Sequence, residues 1–235
     1  LAEHPLLFLE SSPEVGVELV LAEPEMHLTK EKGKLKLSIY PAVTKDTNVV
    51  QVIRDTPTRF KVIRFSKKQH AIIDFLGKGL TIPKSGEKLA RQVIDSLSSV
   101  VTVHSDLASS TKAKIIKADS RLHAHIIPYQ EGICLEFLVK PCGVGGSSFR
   151  PGKGGKSVLT EIKGKKIQAV RNFAREKKQQ NNIIQSCSTF SRLEEIENQW
   201  QVDDPEDALE LLLELKECGD TVTLEWPQGE KLKVR

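Results

Sequence analysis

Apolar and polar residues alternate through the first third of the chain with the period of two that a half-buried strand requires. Leu6 to Leu9, Val17 to Leu21, Met26 to Thr29 and Leu35 to Tyr40 carry this pattern. Lys32-Gly33-Lys34 between the last two predicts a β-hairpin, because glycine reaches the positive φ that a tight turn needs. Val49 to Arg54 and Phe60 to Phe65, joined through Thr56-Pro57, predict a second. The period then lengthens. Ser66-Lys-Lys-Gln69 reads as a capping box, and Ile72, Ile73 and Leu76 form the apolar stripe of a helix that Gly77 or Gly79 ends. A second helix is expected from Ser85, with Leu89, Val93, Ile94 and Leu97 inward, followed by a strand over Val100 to His104.

The second half opens on a strong hairpin, Arg121 to Ile127 and Ile133 to Lys140 around Pro128-Tyr-Gln-Glu-Gly132. Leu122, Ala124 and Ile126 share one face, as do Leu135, Phe137 and Val139. Val158 to Lys163 predicts a short strand closed by Gly164. Ala169 to Gln185 predicts a basic amphipathic helix with Val170, Phe173 and Ile184 inward, and Leu193 to Trp200 a shorter helix or turn. The clearest helix starts at Asp204-Pro205: aspartate caps, proline occupies the first turn where its missing amide costs nothing, and Gly219 stops it. Leu209, Leu212, Leu213 and Leu215 predict its buried face. Thr221 to Trp226 and Lys231 to Val234 predict a closing hairpin. Strands in runs with helices between them predict an α+β fold, antiparallel hairpins and mixed sheet packed by a few amphipathic helices. Residues 1–107 are expected as an N-terminal α+β subdomain, 108–118 as a linker, and 119–235 as a C-terminal α+β subdomain holding a basic loop and helix.

With 235 residues, 39% hydrophobic and 28% charged, the chain is long enough for one large or two small domains. No run approaches the ~20 apolar residues of a membrane span. Cys134, Cys142, Cys187 and Cys218 form no CxxC pair, which predicts buried or free thiols in a reducing compartment. The chain begins Leu1-Ala-Glu-His4 without a signal-peptide pattern, which predicts a piece of a longer cytoplasmic protein.

Net charge is only +4, but it is unevenly placed. Arg150, Lys153, Lys156, Lys163, Lys165, Lys166, Arg171, Arg175, Lys177 and Lys178 are opposed only by Glu161 and Glu176. From Glu194 to Glu217 the sign reverses, with Lys216 the lone cation among Glu194, Glu195, Glu197, Asp203, Asp204, Glu206, Asp207, Glu210, Glu214 and Glu217. Lysines and arginines spread through a loop and helix can neutralise phosphates, so the basic block is the candidate nucleic-acid contact. Pairing with acidic surface and simple solvation stand beside that reading, and only Phe149 and Phe173 interleave as stacking groups.

Within the basic block, FRPGKGGKS ends like a nucleotide-binding P-loop at Gly155-Lys156-Ser157. The motif needs a glycine five positions earlier, where Arg150 stands, and must open a helix, whereas a strand is expected here. His123 and His125 share a strand face but lack companion ligands at metal-site spacing, so no metal site is expected. No nucleophile, base and orienting group can be assembled, so the chain is not expected to be an enzyme.

LEFLVKPCGVGGSSFRPGKGGKSVLTEIKGKKIQAVRNFAREKKQQNNII and WQVDDPEDALELLLELKECGDTVTLEWPQGEKLKV resemble a region of large bacterial Swi/Snf-type ATPases, the DEAD/DEAH-box helicase-like proteins, lying ahead of the motor lobes. The opening HPLLFLESSPEVGVELVLAEPEMHL is similar to the same region. The resemblance implies a non-catalytic accessory module of an ATP-dependent DNA translocase, which positions the motor or contacts DNA. The alternative is a protein-interaction module that docks another domain or a client. The P-loop, the DExH motif and the arginine-finger segment have no counterpart here, so ATP and Mg would belong to the motor of the parent, with no cofactor in this region. The implied partners are that motor, duplex DNA and a protein client, with no membrane.

Overall fold

Hairpin signals in the sequence become antiparallel ladders. The turn at Lys32-Gly33 joins Glu25–Glu31 to Lys34–Tyr40, with Gly33 at φ 79°. Val50–Thr56 pairs with Arg59–Arg64, and Leu122–Tyr129 pairs with Gly132–Val139. The computed structural model describes residues 7–42, 50–56, 58–77, 79–107, 113–143, 146–196 and 198–226. The second strand expected at Lys231 to Val234 lies outside these residues.

The chain has an α+β fold, with four helices among the described residues, α1 (Lys67–Leu76), α2 (Glu87–Leu97), α3 (Phe173–Ser186) and α4 (Pro205–Glu217), packed on mixed sheets. A seven-stranded sheet runs in the order Lys114–Lys117, Lys165–Val170, Ser157–Ile162, Thr102–Ser105, Glu25–Glu31, Lys34–Tyr40, Leu80–Ile82. A five-stranded sheet runs Glu195–Ile196, Gln199–Val202, Gly132–Val139, Leu122–Tyr129, Val222–Glu225. A three-stranded sheet places Arg59–Arg64 between Glu18–Ala22 and Val50–Thr56. The seven-stranded sheet takes four strands from before residue 108 and three from after it. The segment expected as a linker therefore contributes Lys114–Lys117 to that sheet, parallel to Lys165–Val170. Residues 108–112 lie outside the described residues.

Local signals set the helix ends. The Ser66 hydroxyl accepts from the Gln69 amide at 3.3 Å and the Gln69 side chain accepts from the Ser66 amide at 2.8 Å, closing the capping box. Asp204 accepts from the amides of Glu206 and Asp207, at 2.8 and 3.0 Å. Several expected faces move. On α2 it is Ala90 and Ile94 that are buried, while Leu89 and Val93 face solvent. On α4 the buried residues are Ala208, Leu211 and Leu215, with Leu209 and Leu213 half exposed, because the small Ala208 rather than a leucine lies on the core side. The expected helix from Ala169 divides. Lys165–Val170 is a strand held between two neighbours, and Asn172 then caps α3 by accepting from the Arg175 amide at 3.0 Å. Leu193 to Ile196 and Asn198 to Trp200 are not helical: a 3-10 turn at Ser188–Arg192 is followed by two short strands.

Two larger cores result. One lies between the five-stranded sheet and α3 and α4, around Phe137, Phe190, Trp200 and Leu211. The other lies between the seven-stranded sheet and α1 and α2, around Met26, Leu37, Ile94 and Val103. A smaller cluster of Ile39, Ile63, Phe65 and Ile73 ties the three-stranded sheet to α1. Gly132–Val139 is covered on both faces, so Cys134 and Glu136 are buried as fully as Leu135 and Phe137. Among the described residues no helix is long and apolar enough to cross a membrane.

Candidate functional site

The loop that resembles a P-loop folds around a buried ion pair. Phe149 exchanges backbone hydrogen bonds with Val139 at 2.7 and 2.9 Å. The chain then turns through Gly152 (φ 69°) and Gly154 (φ 84°) and enters the strand Ser157–Ile162, where a phosphate loop would open a helix. The Gly152 amide donates to Glu176 Oε2 at 2.8 Å, so this loop amide is taken up by a carboxylate of the chain itself. Arg171 reaches the same carboxylate with Nε at 2.9 Å and Nη2 at 2.7 Å, and both side chains are 0% exposed. Its guanidinium also donates to the carbonyls of Lys153 (2.5 Å) and Arg150 (3.3 Å). The rings of Phe149 and Phe173 lie 4.7 and 4.8 Å from it, within cation–π range. Two aromatics that the sequence offered as base-stacking groups thus pack against an internal arginine.

This removes Arg171 from the candidate phosphate contacts. Burial and internal bonding leave it nothing to offer a ligand. Arg150 is half-buried and donates to the Asp55 carbonyl at 3.0 Å, and Lys166 donates to the Asp95 carbonyl at 2.5 Å. Lys153, Lys156, Lys163, Lys165, Arg175, Lys177 and Lys178 are exposed, and none makes an ion pair among the described residues. They form two groups. Lys163 and Lys165 lie at the tip of the hairpin Ser157–Ile162/Lys165–Val170, turned by Gly164 at φ 73°. Lys153, Lys156, Arg175, Lys177 and Lys178 lie at its other end, around the loop and the first turns of α3, about 20 Å away at ~3.3 Å per strand residue.

Among the described residues the acidic block makes no ion pair with them. Its described ion pairs run to Arg192, which holds Asp207 at 3.2 Å and Glu210 at 2.6 Å. Glu214 accepts from the Ser188 amide at 2.8 Å and the Thr189 amide at 3.2 Å, which caps the 3-10 turn. Glu197 lies outside the described residues.

A cleft of about 1560 Å³ opens between the three-stranded sheet, the hairpin Leu122–Tyr129/Gly132–Val139 and the loop before Ser157. Its charged wall was not legible in the sequence. Arg59, 5% exposed, contacts Glu136 and donates to Glu18 at 3.0 Å. His125 Nε2 also meets Glu18, at 2.8 Å. Burial pushes the Glu18 carboxyl up, but His125 and Arg59 outweigh it and hold it at about 2. His123 Nδ1 meets a different carboxylate, Glu225, at 2.8 Å, and Lys140 donates to the same oxygen at 2.5 Å. Against burial, these two partners hold Glu225 at about 2. The two histidines therefore do not act as a ligand pair. A third cluster, Glu25, His27 and His104, comes together beside this cleft, which Glu25 lines. The i, i+2 pair Glu25/His27 was visible in the sequence, but the strand that adds His104 is fixed only by sheet order.

The four cysteines are free thiols, and burial pushes Cys134 and Cys187 up to about 12. No protein-family model, curated protein or solved structure matches the chain.

Proposed function

We propose that this chain is a non-catalytic accessory module of a Swi/Snf-like DNA-translocating ATPase, contacting duplex DNA through Lys153, Lys156, Arg175, Lys177 and Lys178. The observation that supports it is electrostatic. Glu176, the acid in the first turn of α3, is turned inside to Arg171, while Arg175, Lys177 and Lys178 stay exposed around the same turns. Cations beside the positive end of a helix dipole are disfavoured, each by about 0.3–1 kcal/mol, and an anion placed there relieves them. Such a surface suits a phosphate backbone and reads no bases.

The test is fluorescence-anisotropy titration of labelled duplex with two charge-reversed variants. Lys177→Glu/Lys178→Glu should weaken binding on unrelated sequences alike, while Lys163→Glu/Lys165→Glu, at the far hairpin tip, should weaken it less. Equal affinity of the first variant and the parent chain overturns the assignment. A second reading, docking onto the motor of the same chain or a protein client, is favoured by the exposed apolar side chains Phe75 (81%) and Leu89 (64%) on α1 and α2. In that reading Phe75→Ser/Leu89→Ser alters ATP turnover of the parent and leaves duplex affinity unchanged.

A further inference from the structure

Strand Glu25–Glu31 turns Met26 and Leu28 into the core between α1, α2 and the seven-stranded sheet. The alternate residues Glu25 and His27 therefore share the opposite face. The parallel neighbour Thr102–Ser105 is in register with it, so that His104 lies directly across from His27. The two imidazoles stack at 4.6 Å between centroids and 18° between planes. Both converge on one carboxylate: Glu25 Oε2 lies 3.4 Å from His27 Nε2 and 3.2 Å from His104 Nε2. The three donor atoms all lie within 4.8 Å of one another.

His104 is 2% exposed, wedged between the His27 ring and the edge of Phe149 at 5.0 Å. Neither of its ring nitrogens makes an aligned hydrogen bond, since the approach to Glu25 satisfies distance but not direction. A buried polar atom without a partner is destabilising, so a site that orients one toward a carboxylate and a second imidazole calls for a common partner.

We propose that Glu25, His27 and His104 bind a single divalent transition-metal ion of the zinc type. Two imidazole nitrogens and one carboxylate oxygen form a borderline-soft donor set, matched to zinc and its neighbours and not to magnesium or calcium, which take oxygen shells. Ligand bonds of ~2.0–2.2 Å at tetrahedral angles put donor atoms about 3.3–3.6 Å apart, close to the separations of Glu25 from each histidine. Three protein ligands leave a fourth position, and the cleft lined by Glu25, Lys61, Thr102 and Thr160 gives it access to water or an anionic oxygen donor. The Gly155 backbone packs against His104, where an added Cβ would come within 3.0 Å of His104 Cβ.

The test uses the full chain, stripped of metal and dialysed against zinc chloride, with metal content measured per chain and cobalt(II) substituted for spectroscopy. One zinc per chain is expected, with cobalt(II) giving the visible bands of a four-coordinate site and no thiolate charge-transfer band. That last point separates it from the Cys187/Cys218 pair, whose sulfurs are 3.8 Å apart. His27 is about a third exposed at its side chain, so His27→Ala leaves the core intact. It should weaken zinc binding by more than the roughly 10–100-fold that loss of an outer-shell partner costs. Glu25→Gln, which keeps the volume, should do the same. Absence of stoichiometric zinc in the unaltered chain, a thiolate band in the cobalt form, or undiminished binding in both folded variants each overturns the assignment.

Discussion

Replacing Glu176 by alanine leaves the Arg171 guanidinium uncompensated where neither side chain is reached by water. Breaking one partner of a buried pair costs about 3–5 kcal/mol, because the surviving charge keeps its desolvation penalty and loses its counter-charge. The Gly152 amide loses its acceptor as well. Two features reduce the cost: Arg171 retains the carbonyls of Lys153 and Arg150, and two ring faces that contribute about 0.5–2 kcal/mol each. A loss of about 3 kcal/mol is therefore expected, toward the lower end of that range. The assay is equilibrium urea unfolding of the Glu176→Ala chain, with amide exchange of residues 150–156 followed in parallel. Those amides should lose protection first, since the pair is the hub of the loop. The double variant Arg171→Met/Glu176→Leu removes both charges and should recover part of the loss. A single variant within about 1 kcal/mol of the parent, or a double variant less stable than the single, refutes the reasoning.

Three further outcomes follow from packing and charge. Leu211→Ala should cost about 2–5 kcal/mol in urea unfolding, while Leu213→Ala, half exposed on the same helix, should cost under about 1 kcal/mol; equal losses contradict the rotated face of α4. Gly132→Ala should be among the most damaging single changes, because a Cβ there collides with the Val202 carbonyl of the neighbouring strand; a folded chain with an unchanged urea midpoint contradicts that packing. Glu18 has a folded-state pKa of about 2, below its unfolded value near ~4.3, so its contribution is complete above the unfolded value and is lost as pH falls toward 2. The urea midpoint should fall across that window and flatten in Glu18→Gln; an unchanged acid slope in the variant contradicts the Glu18 contacts.

Caps and turns were legible because their chemistry is local. Ser66 with Gln69, Asp204 before Pro205, and Lys32-Gly33 each complete their hydrogen bonds within a few residues. What escaped the sequence depends on distant partners. Ala169 and Val170 read as the start of a basic helix, yet two neighbouring strands, one parallel and one antiparallel, make them the end of the strand Lys165–Val170. Arg171 counts as a free cation until the chain turns at Asn172 and brings Glu176 back under it, a spacing of five that no regular helix pairs. Glu136 alternates like an outward residue because the pattern carries no sign of Arg59 covering its face. Glu25 and His27 show only as an i, i+2 pair, and the register of a strand more than 70 residues later supplies His104.

The most direct measurement is the salt dependence of duplex binding by the unmutated chain. Each phosphate neutralised adds about 0.9 to the negative slope of log affinity against log salt, so contact by the five cations around the start of α3 predicts a slope of about −3 to −4.5. Affinities for duplexes of unrelated sequence should agree within a few-fold, since phosphate contacts position a protein without reading bases. No binding at about 50 mM salt, or a slope near zero, contradicts DNA contact by this surface.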